Sequence, residues 1–536
     1  MIEHCSRFQN LELDFQLVLP KVHCMRFGWS WLLLIVWVSN LVAQEETIRQ
    51  AVLQPERFQR YVDYFNRMEE ENVRQAIPNE ESWEWMKGNV PWFECPQDNF
   101  EEIYYFRWWS FRKHIRSTPS GLALTEFLVP RSYADQHNLI SCALGQHVME
   151  GRWLRDRKYV DQNLHVWFRG NQGEPMAKLH KFSNWIAHAV YQKYLVDGDK
   201  SYLLDLLPDL QRDFEFWERE HLRSDGLFWQ FDVRDGMEEQ ISGSRKEKNA
   251  RPTINSYMAG NAKAIQEIAT LAGNQELASL YGEKATRYRR LLHEKLWNKE
   301  SQFFETYRPD GSFADVRELI GYLPWYFLLA DQDHDAAWSF LSDDNGFQAP
   351  YGLTTAERSH PLFRSHGCCN CEWDGAIWPF ATSQTLTAFA NRLQSNENQW
   401  CNRSIYFQQL ERYVECQYHR GRPYIGEYLD EKTGYWLKGD QERSRYYNHS
   451  TFCDLIIHGL IGLRPRPDRL LEINPLLPEK RWEWFGLDGL SYHGRMITIL
   501  WDADGSRYKR GQGLIVMVDG KVVARSDKLE RLLIPL

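Results

Sequence analysis

The chain has 536 residues, a length that accommodates two to four domains of about 150 residues each. Its 64 basic and 73 acidic side chains give a formal net charge of −9, and its 43% hydrophobic and 26% charged residues are an ordinary globular composition. These figures argue against a nucleic-acid-binding surface and against a largely disordered chain. The aromatic fraction is 14%, with 23 Trp. Because a buried indole N–H needs an acceptor, this surplus favours ring faces that line a groove, although a core rich in Trp is the alternative.

The first element in chain order is a targeting sequence. Met25-Arg26-Phe27 begin a short basic region, and the apolar run from Trp29 to Val38 and a stretch ending at Ala43 follow. The pattern predicts a signal peptide over residues 25–43, with residues 1–24 as an upstream extension. The apolar run is too short to span a bilayer, and no later stretch reaches about 18 apolar residues. We therefore expect a secreted or periplasmic protein whose mature form has no membrane span.

Residues 44–99 form a mixed segment, and from 100 to 464 the hydrophobic pattern is helical. One helix face is marked by Leu203, Leu207, Leu210, Phe214 and Trp217, which step by four and three. Long loops rich in Trp, Gly, Asp and Arg, at 227–251, 346–378 and 421–448, separate such helices, and loops of this length are usually functional. Helical hairpins joined by these loops predict a toroid of helices with a site at one end.

The pattern changes after residue 464. Met496 to Trp501, Leu514 to Val518 and Lys521 to Ala524 have the composition of strands. Asp519-Gly520 between two apolar runs is typical of a type I′ hairpin turn. Residues 465–536 are therefore predicted to be a small β-domain.

Cysteines are sparse once those at or before the signal peptide are set aside, so the chain is not a disulfide scaffold. Three cluster as Cys368, Cys369 and Cys371. A zinc-thiolate site completed by Glu415 and Cys416 is one interpretation, a local disulfide is a second, and ordinary buried thiols are the third and preferred one. We expect no metal and no cofactor.

The candidate catalytic residues are carboxylates that have aromatic residues next to them in the sequence. The first loop holds Asp232, Asp235, Glu238 and Glu239. Four acids within eight residues raise one another's pKa values, which can keep one of them protonated near neutral pH. A solvated or calcium-binding loop is the alternative, but the apolar residues in this loop, Trp229 among them, disfavour it.

Two further loops carry acids beside rings. One contains Trp373, Asp374 and Trp378 directly before a helix, where Asp374 could instead be a helix cap and Trp373 plain core. The other places Glu427 near Tyr424 and leads to His449 at another helix start. Two carboxylates from different loops among aromatic faces meet the needs of glycoside hydrolysis, in which one acid protonates the leaving oxygen and a carboxylate activates water or attacks C1.

At these three loops the chain resembles the (α/α)6-barrel glycosidases around glycoside hydrolase family 63, and related six-hairpin enzymes such as α-L-rhamnosidases and trehalases. The general-acid loop of that family is similar to Asp235-Gly-Met-Glu238. Its W-R-G-x-x-W-P helix entry is similar to Trp373-Asp-Gly-Ala-Ile-Trp-Pro379, and its general-base loop is similar to Glu427-Tyr-Leu-Asp-Glu-Lys-Thr-Gly434. The matches cover roughly residues 100–463. Glu238 stands where the family usually has Asp, and Asp374 where it has Arg.

The resemblance implies a mainly α protein, an (α/α)6 toroid with a C-terminal β-sandwich-like domain. It further implies an exported glycosidase, exo-acting and inverting, that cleaves a plant or host oligosaccharide or polysaccharide. Glu238 would be the general acid, with Asp235 or Glu239 as alternatives, and Glu427 the general base. The residues expected to bind substrate are Arg107, Trp108, Trp109, Trp229, Arg234, Trp373, Asp374, Trp378, Tyr424 and His449.

Three alternatives stay open. The first is a zinc-thiolate hydrolase, loosely similar to β-L-arabinofuranosidases, built on Cys368, Cys369, Glu415 and Cys416. The second is a non-catalytic carbohydrate-binding protein on the same barrel. The third is a polysaccharide lyase, which shares the toroid and would use a Tyr/His/Arg constellation against a uronate, with Tyr447 and His449 as the available candidates.

Overall fold

The computed structural model describes residues 52–367 and 371–536. The predicted upstream extension and signal peptide, together with Cys368 and Cys369, lie outside the described residues. The α-helices are α1 (Gln59–Arg67), α2 (Ser82–Asn89), α3 (Asp98–Lys113), α4 (Leu144–Gly151), α5 (Lys158–Arg169), α6 (Ile186–Asp197), α7 (Lys200–His221), α8 (Asp232–Asp235), α9 (Pro252–Ala272), α10 (Gln275–Lys295), α11 (Leu323–Tyr326), α12 (Pro379–Arg392), α13 (Arg403–Glu415) and α14 (Phe452–Asp454), which continues as the π-helix Leu455–Leu460.

Six of these segments form a closed inner ring. Helix α4 packs on α6, α6 on α9, α9 on α11, α11 on α12, α12 on the π-helix, and α14 returns to α4. An outer layer covers the ring: α5, α7, α10 and α13 each pack on the inner helix that precedes them, and α3 packs on α14. The 3-10 segment Gln332–Ser342 supplies the remaining outer position, with Trp338 stacked on Phe389 of α12 at 4.8 Å. Alternation of inner and outer helices around one ring is an (α/α)6 toroid.

The inner and outer helices differ in sequence as their positions require. Along α9 the first eleven residues are all buried, and small side chains allow close packing: a Cβ on Gly260 would lie 2.3 Å from the Phe327 ring. On the outer helix α7 only one face is buried, and it holds all five residues of the predicted apolar stripe. The Asp199 side chain caps α7 by accepting from the Tyr202 N–H at 3.1 Å.

The strands are β1 (Trp92–Glu94), β2 (Ile115–Thr118), β3 (Gly121–Leu124), β4 (Trp297–Asn298), β5 (Phe303–Phe304), β6 (Gln348–Ala349), β7 (Gly352–Leu353), β8 (Tyr418–His419), β9 (Arg422–Pro423), β10 (Leu463–Arg464), β11 (Leu470–Ile473), β12 (Trp484–Tyr492), β13 (Arg495–Asp502), β14 (Gly513–Val518), β15 (Lys521–Ser526) and β16 (Leu532–Pro535). The largest sheet has the order β1-β12-β13-β14-β15, and a second one has the order β10-β11-β16. Between β14 and β15, Asp519 and Gly520 have φ values of 49° and 74°, as a type I′ turn requires.

The fold class predicted from the sequence, a mainly α toroid with a small C-terminal β region, is confirmed. Strand β1 comes from the N-terminal segment but pairs with β12, so this sheet joins both ends of the described chain. One hydrophobic cluster runs from the toroid into the sheet. The domain boundaries at 99/100 and 464/465 stay predictions. Within the described residues, no helix has the length and apolarity that crossing a bilayer would demand.

Candidate active site

A cavity of about 320 Å³ lies at the end of the toroid where the inner helices begin. Its lining residues come from the segments that lead into α4, α6, α9, α12 and α14, or from the first turn of α12. They include three acids, three cations, a histidine and several rings: Glu126, Glu238, Glu427, Lys181, Arg234, Arg443, His449, Tyr133, Phe182, Trp378, Phe380 and Tyr447. The long loops at 227–251 and 421–448 each contribute one of the acids.

Glu238 follows the short helix α8, which Gly236 ends in the left-handed conformation at φ 70°. A Cβ on Gly236 would lie 2.5 Å from Sγ of Cys142, a residue in the segment that leads into α4. Only glycine therefore fits at this turn. Burial raises the pKa of Glu238 to about 7, and the negative charges of Asp232 and Glu427 act in the same direction. Glu238 is therefore an acid that holds its proton near neutral pH.

Glu427 is a buried carboxylate held between two cations. Arg443 Nη2 lies 2.6 Å from its Oε1, and Lys438 Nζ lies 3.4 Å from its Oε2. The Glu427 backbone N–H donates to Ser444 Oγ at 3.2 Å, which ties the two sides of this loop together. The two cations compensate the negative charge of Glu427.

The third acid, Glu126, was not anticipated from the sequence. It follows strand β3, and its Oε1 accepts a hydrogen bond from the Tyr447 hydroxyl, while Oε2 is buried without a partner among the described residues. The Asn448 N–H donates to the Glu126 carbonyl at 2.9 Å, so the β3 loop and the α14 entry are joined here. Burial raises the pKa of Glu126 to about 8, and Glu427 and Glu238 add to the rise.

Trp378 gives the cavity its aromatic wall. Its ring lies between Trp373, at 4.4 Å, and Tyr428, at 4.8 Å, with interplanar angles of 21° and 17°. Two backbone hydrogen bonds of 3.0 Å between Ile377 and Leu429 join the two loops and bring Trp378 beside the Glu427 loop. Because stacked rings cover both faces of Trp378, this residue presents the edge of its ring to the cavity.

His449 also lines the cavity, and burial lowers its pKa well below the usual value, with the charge of Arg107 as the next cause. His449 is thus a neutral imidazole, whose ring lies 3.7 Å from that of Tyr447. Arg107 itself does not reach the cavity. It is buried behind the α14 entry, where its Nη2 contacts Ser450 Oγ at 3.2 Å.

Several residues expected in the site lie elsewhere in the structure. Trp108 and Trp109 are fully buried on α3, because this outer helix is covered by α1 and α2 as well as by the inner ring. Trp373 lies behind Trp378 and is 1% exposed. Asp374 is buried and accepts from the backbone N–H and Nδ1 of His366 at 2.9 and 3.0 Å, so it holds its own loop in place.

Asp235, the alternative acid, does not line the cavity either. Its carboxylate is completely buried, pairs with Arg251 Nε at 2.6 Å and accepts a hydrogen bond from the Thr253 hydroxyl. Arg251 and Thr253 stand at the start of α9, so this ion pair fixes the acidic loop to the inner ring. Glu239 is in an ion pair with Arg245 at 2.9 Å and is also absent from the lining.

Two residues that were expected to bind substrate, Trp229 and Tyr424, line hollows other than the cavity. Trp229 faces a hollow that adjoins the cavity, and Arg234 is exposed between the two and lines both. Tyr424 lines a third hollow, where its hydroxyl donates to the Gly439 carbonyl at 3.1 Å. Of the residues expected to bind substrate, Arg234, Trp378 and His449 line the cavity.

The thiols give little support to a metal centre. Cys416 is a buried free thiol that contacts the Tyr413 carbonyl at 3.3 Å, and burial raises its pKa to about 12. Glu415 is exposed, and among the described residues neither belongs to a group of converging metal ligands. Cys371, a free thiol, lines the cavity, and burial raises its pKa to about 11.

Two residues missed by the sequence analysis, Glu126 and Arg443, have partners that no local pattern indicates, 321 residues away for Glu126 and across its own loop for Arg443. Glu126 is a lone acid in the apolar run Leu122 to Val129, and that isolation was the available signal. Arg443 lies in a charged stretch that is typical of a solvated turn. Their places beside Tyr447 and Glu427 are visible only after folding.

Two family models match the chain. The model of the mannosylglycerate hydrolase MGH1-like glycoside hydrolase domain matches residues 136–450, which is more than half of the chain and contains Glu238 and Glu427. The model of the glycosyl hydrolase family 65 C-terminal domain matches residues 463–525, which contain strands β12 to β14.

Solved structures are similar over most of the chain. A protein named sialidase is 58% identical with a TM-score of 0.89, and the match covers 90% of this chain and 45% of that one, so this chain spans less than half of the sialidase. A GH78 family rhamnosidase of Bacillus sp. GL1 is 12% identical, with a TM-score of 0.56 and coverages of 80% and 41%. A GH63 mannosylglycerate hydrolase from Thermus thermophilus, in complex with glucose, is 14% identical, with a TM-score of 0.51 and coverages of 66% and 99%. At identities of 12% and 14%, the last two show the fold alone.

Proposed function

The chain belongs to the mannosylglycerate hydrolase MGH1-like glycoside hydrolase family, and on that premise we propose that it is an exported, exo-acting glycosidase that inverts the anomeric configuration of its product. The observation that carries this proposal is the pairing of two unlike acids in one cavity. Glu238 has its pKa raised to about 7, whereas Glu427 is held between Arg443 and Lys438. Two carboxyl groups in environments this different suit the acid and base of one reaction.

In the proposed reaction Glu238 is the general acid. Its carboxyl proton passes to the glycosidic oxygen as the bond between that oxygen and C1 breaks, so the leaving group departs as a neutral alcohol. The apolar and acidic surroundings of Glu238 keep this proton in place at neutral pH. After the reaction Glu238 is a carboxylate and Glu427 a carboxylic acid. Glu427 releases its proton to the solvent and Glu238 takes one up, which restores both groups.

Glu427 is the general base. It takes a proton from a water molecule, whose oxygen forms the new bond to C1 from the face opposite the leaving group. Arg443 holds Glu427 Oε1 and fixes the carboxylate for this contact. Inversion requires the two carboxyl groups to be about 6.5–9.5 Å apart, which leaves room for the water.

The shape of the cavity supports cleavage at a chain end. Its lining residues come from the segments that lead into five of the six inner helices, so the cavity has walls on several sides, as a site for the end of a glycan chain requires. The edge of the Trp378 ring and the side chains of Phe182 and Phe380 offer apolar contacts to one sugar. Neutral His449 and the Tyr447 hydroxyl offer hydrogen bonds to its hydroxyl groups. We propose a terminal sugar of a plant or host glycan as the occupant.

The relative named sialidase raises the question whether that sugar is a sialic acid, which carries a carboxylate on its anomeric carbon. Three carboxyl side chains line the cavity, and Arg443 is already paired with Glu427. A carboxylate on the reacting carbon would lie beside the negative charge of Glu427, while the cations Lys181 and Arg234 in the lining are shared with the neighbouring hollow. We therefore propose that the cleaved sugar is neutral.

The experiment is a screen of the full chain against neutral-ended plant and host oligosaccharides, with NMR of the first released anomer. We expect release of a single neutral monosaccharide with inverted configuration, and its loss in Glu427→Gln with the fold retained by circular dichroism. A retained configuration would contradict inversion. Full activity of Glu427→Gln would contradict the assignment of the base.

A further inference from the structure

A second hollow, of about 420 Å³, adjoins the catalytic cavity, because Lys181 and Arg234 line both. Its walls present ring faces: Trp229 is half-buried, and the ring of His180 is stacked on Phe216 at 3.8 Å with an interplanar angle of 15°. The proposed hydrolysis of a single bond uses no residue that belongs to this hollow alone. Rings beside cations are suited to a ligand with both an apolar face and negative charge.

Three cations converge here without a counter-ion. Among the described residues, Lys178, Lys181 and Arg234 make no ion pair. The Nζ of Lys178 donates to the Ala134 carbonyl and the Nζ of Lys181 to the Tyr133 carbonyl, both at 2.6 Å. Backbone carbonyls position the two ammonium groups, but they do not neutralise them.

The positive charges also act on one another. Burial lowers the pKa of Lys181, and the nearby charges of Lys178 and Arg234 lower it further, with Asp135 as the opposing acid. The Asp135 side chain accepts from the backbone N–H groups of Gln136 and Lys178, so it is engaged in turn formation. An anion placed among the three cations would relieve their repulsion.

The two neighbouring hollows therefore differ in charge. Lys181 and Arg234 line both, but the acids Glu126, Glu238 and Glu427 line the inner cavity alone, and the outer hollow is lined by unpaired cations and by no acid. From this contrast we propose that the outer hollow binds an acidic sugar residue, carrying a carboxylate or a sulfate group, that is joined to the neutral sugar held in the cavity. The inference rests on the proposed function in placing the cleaved bond between the two.

In the bound state the sugar ring lies against Trp229, and its anionic group is placed among Lys178, Lys181 and Arg234. A guanidinium can hold a carboxylate or a sulfate through two parallel hydrogen bonds. Lys181 Nζ donates to one carbonyl and has two N–H bonds left, and Lys178 Nζ donates to the Ala134 and Tyr133 carbonyls and has one left. The substrate class is thus an acidic glycan with neutral sugars at its ends.

The test is calorimetric binding of matched oligosaccharides that differ in charge alone. A rhamnogalacturonan oligosaccharide that ends in neutral rhamnose is compared with its methyl ester for the carboxylate, and a κ-carrageenan oligosaccharide that ends in neutral anhydrogalactose with its desulfated form for the sulfate. We expect at least one charged compound to bind about tenfold more tightly than its neutral partner, and the difference to shrink in high salt. Equal affinities within both pairs, or no binding of any of the four compounds, would overturn the proposal.

Variants locate the binding. We expect Lys178→Gln to lower the affinity for the charged compound about tenfold and to leave the neutral one unchanged, and Trp229→Ala to weaken both. Lys263→Gln, which removes an exposed lysine paired with Glu267 on α9, is the matched control. If Lys178→Gln behaves as this control does, the hollow is not the site.

Failure of the proposed function is distinguishable from failure of this inference. Calorimetry on Glu238→Gln measures binding without turnover, so the charge preference is readable even if the chain hydrolyses none of the glycans tested. A protein that cleaves glycans but binds both members of each pair equally keeps its proposed function and loses the acidic subsite.

Discussion

The Tyr447 hydroxyl donates a hydrogen bond to Glu126 Oε1, which joins two residues that are 321 positions apart in the sequence. Burial raises the pKa of both groups, to about 8 for Glu126 and well above the usual value for Tyr447. At neutral pH the pair therefore adds no net charge to a cavity that already contains the Glu427 carboxylate. A third acid kept neutral in this way can face a sugar without repelling the charge that the base needs.

The first prediction concerns the cost of charging Glu126. Because its pKa in the folded protein is raised from 4.5 to about 8, the folded state binds the proton more tightly, and the resulting stabilisation is lost as pH rises through that interval. Glu126→Gln has no charge to bury. We expect its melting temperature relative to the wild type to increase by about 5 °C between pH 5.5 and pH 8.5.

Thermal unfolding followed by circular dichroism at the two pH values measures this difference. Glu300→Gln removes one negative charge at an exposed position and is the control. A relative melting temperature of Glu126→Gln that falls with pH would show that the folded protein stabilises the charged carboxylate instead.

The second prediction concerns the alkaline side of the pH profile. Since Glu238 must be protonated to act, kcat/KM should decline as pH rises above about 7. The charge of Asp232 raises the pKa of Glu238 and that of Arg245 lowers it. We expect Asp232→Asn to move the decline to lower pH, and Arg245→Gln to move it to higher pH, each by about half a pH unit.

The two variants control for each other, because an unspecific disturbance of the loop would not shift the profile in opposite directions. The side-chain oxygen of Asp232 accepts from the Val233 N–H at 2.7 Å, and the amide oxygen in Asp232→Asn can accept the same bond, so the turn is preserved. Shifts of the same sign in both variants would mean that another group sets the alkaline decline.

The third prediction separates the acid from the base by leaving group. We expect Glu238→Gln to lose about 10²–10⁴-fold in kcat on a natural oligosaccharide, but little on an aryl glycoside whose phenolate departs without a proton. Glu427→Gln should lose activity on both substrates, since water must be activated in either case. Equal losses of Glu238→Gln on the two substrates would exclude it as the general acid.

How far the sequence predicted the site depended on whether the signal was local. The loops at 227–251 and 421–448 were found because acids and rings lie next to each other along the chain. Arg107, Trp108 and Trp109 have the same local appearance, yet α3 is buried on all sides by the inner ring and by α1 and α2. A local sequence pattern cannot distinguish a helix that other helices cover on both sides from a helix that faces a cavity.

The tryptophan surplus has a mixed explanation. Trp378 lines the cavity and Trp229 the outer hollow, as a sugar-binding surface would require. Many others are core, with less than 2% exposure: Trp108, Trp109, Trp153, Trp167, Trp185, Trp217, Trp338, Trp373 and Trp436. Two layers of helices create a large interior, so the alternative of a core rich in Trp accounts for more of the rings than the groove does.

The fourth prediction concerns the start of the mature chain. If residues 25–43 are a signal peptide, the exported protein begins at Gln44, which intact-mass measurement of protein from the culture medium or periplasm would detect. Leu34→Arg places a charge in the apolar run and should retain the protein in the cell. Met25→Leu should abolish expression, whereas Met1→Leu should not. Export of the Leu34→Arg variant would contradict the predicted signal peptide.

The last prediction separates Asp235 from Glu238. The Asp235 carboxylate and Arg251 are both completely buried and 2.6 Å apart, so replacing one leaves the other without the charge that it is paired with. We expect Asp235→Asn to lower the free energy of unfolding by about 3–5 kcal/mol, measured by urea denaturation, while the folded fraction keeps its activity. Asp235→Asn combined with Arg251→Met removes both charges and should recover part of the loss. Glu238→Gln should show the reverse, with stability kept and activity lost. If Asp235→Asn is as stable as the wild type but inactive, the acid role belongs to Asp235 and the pairing with Arg251 must open during catalysis.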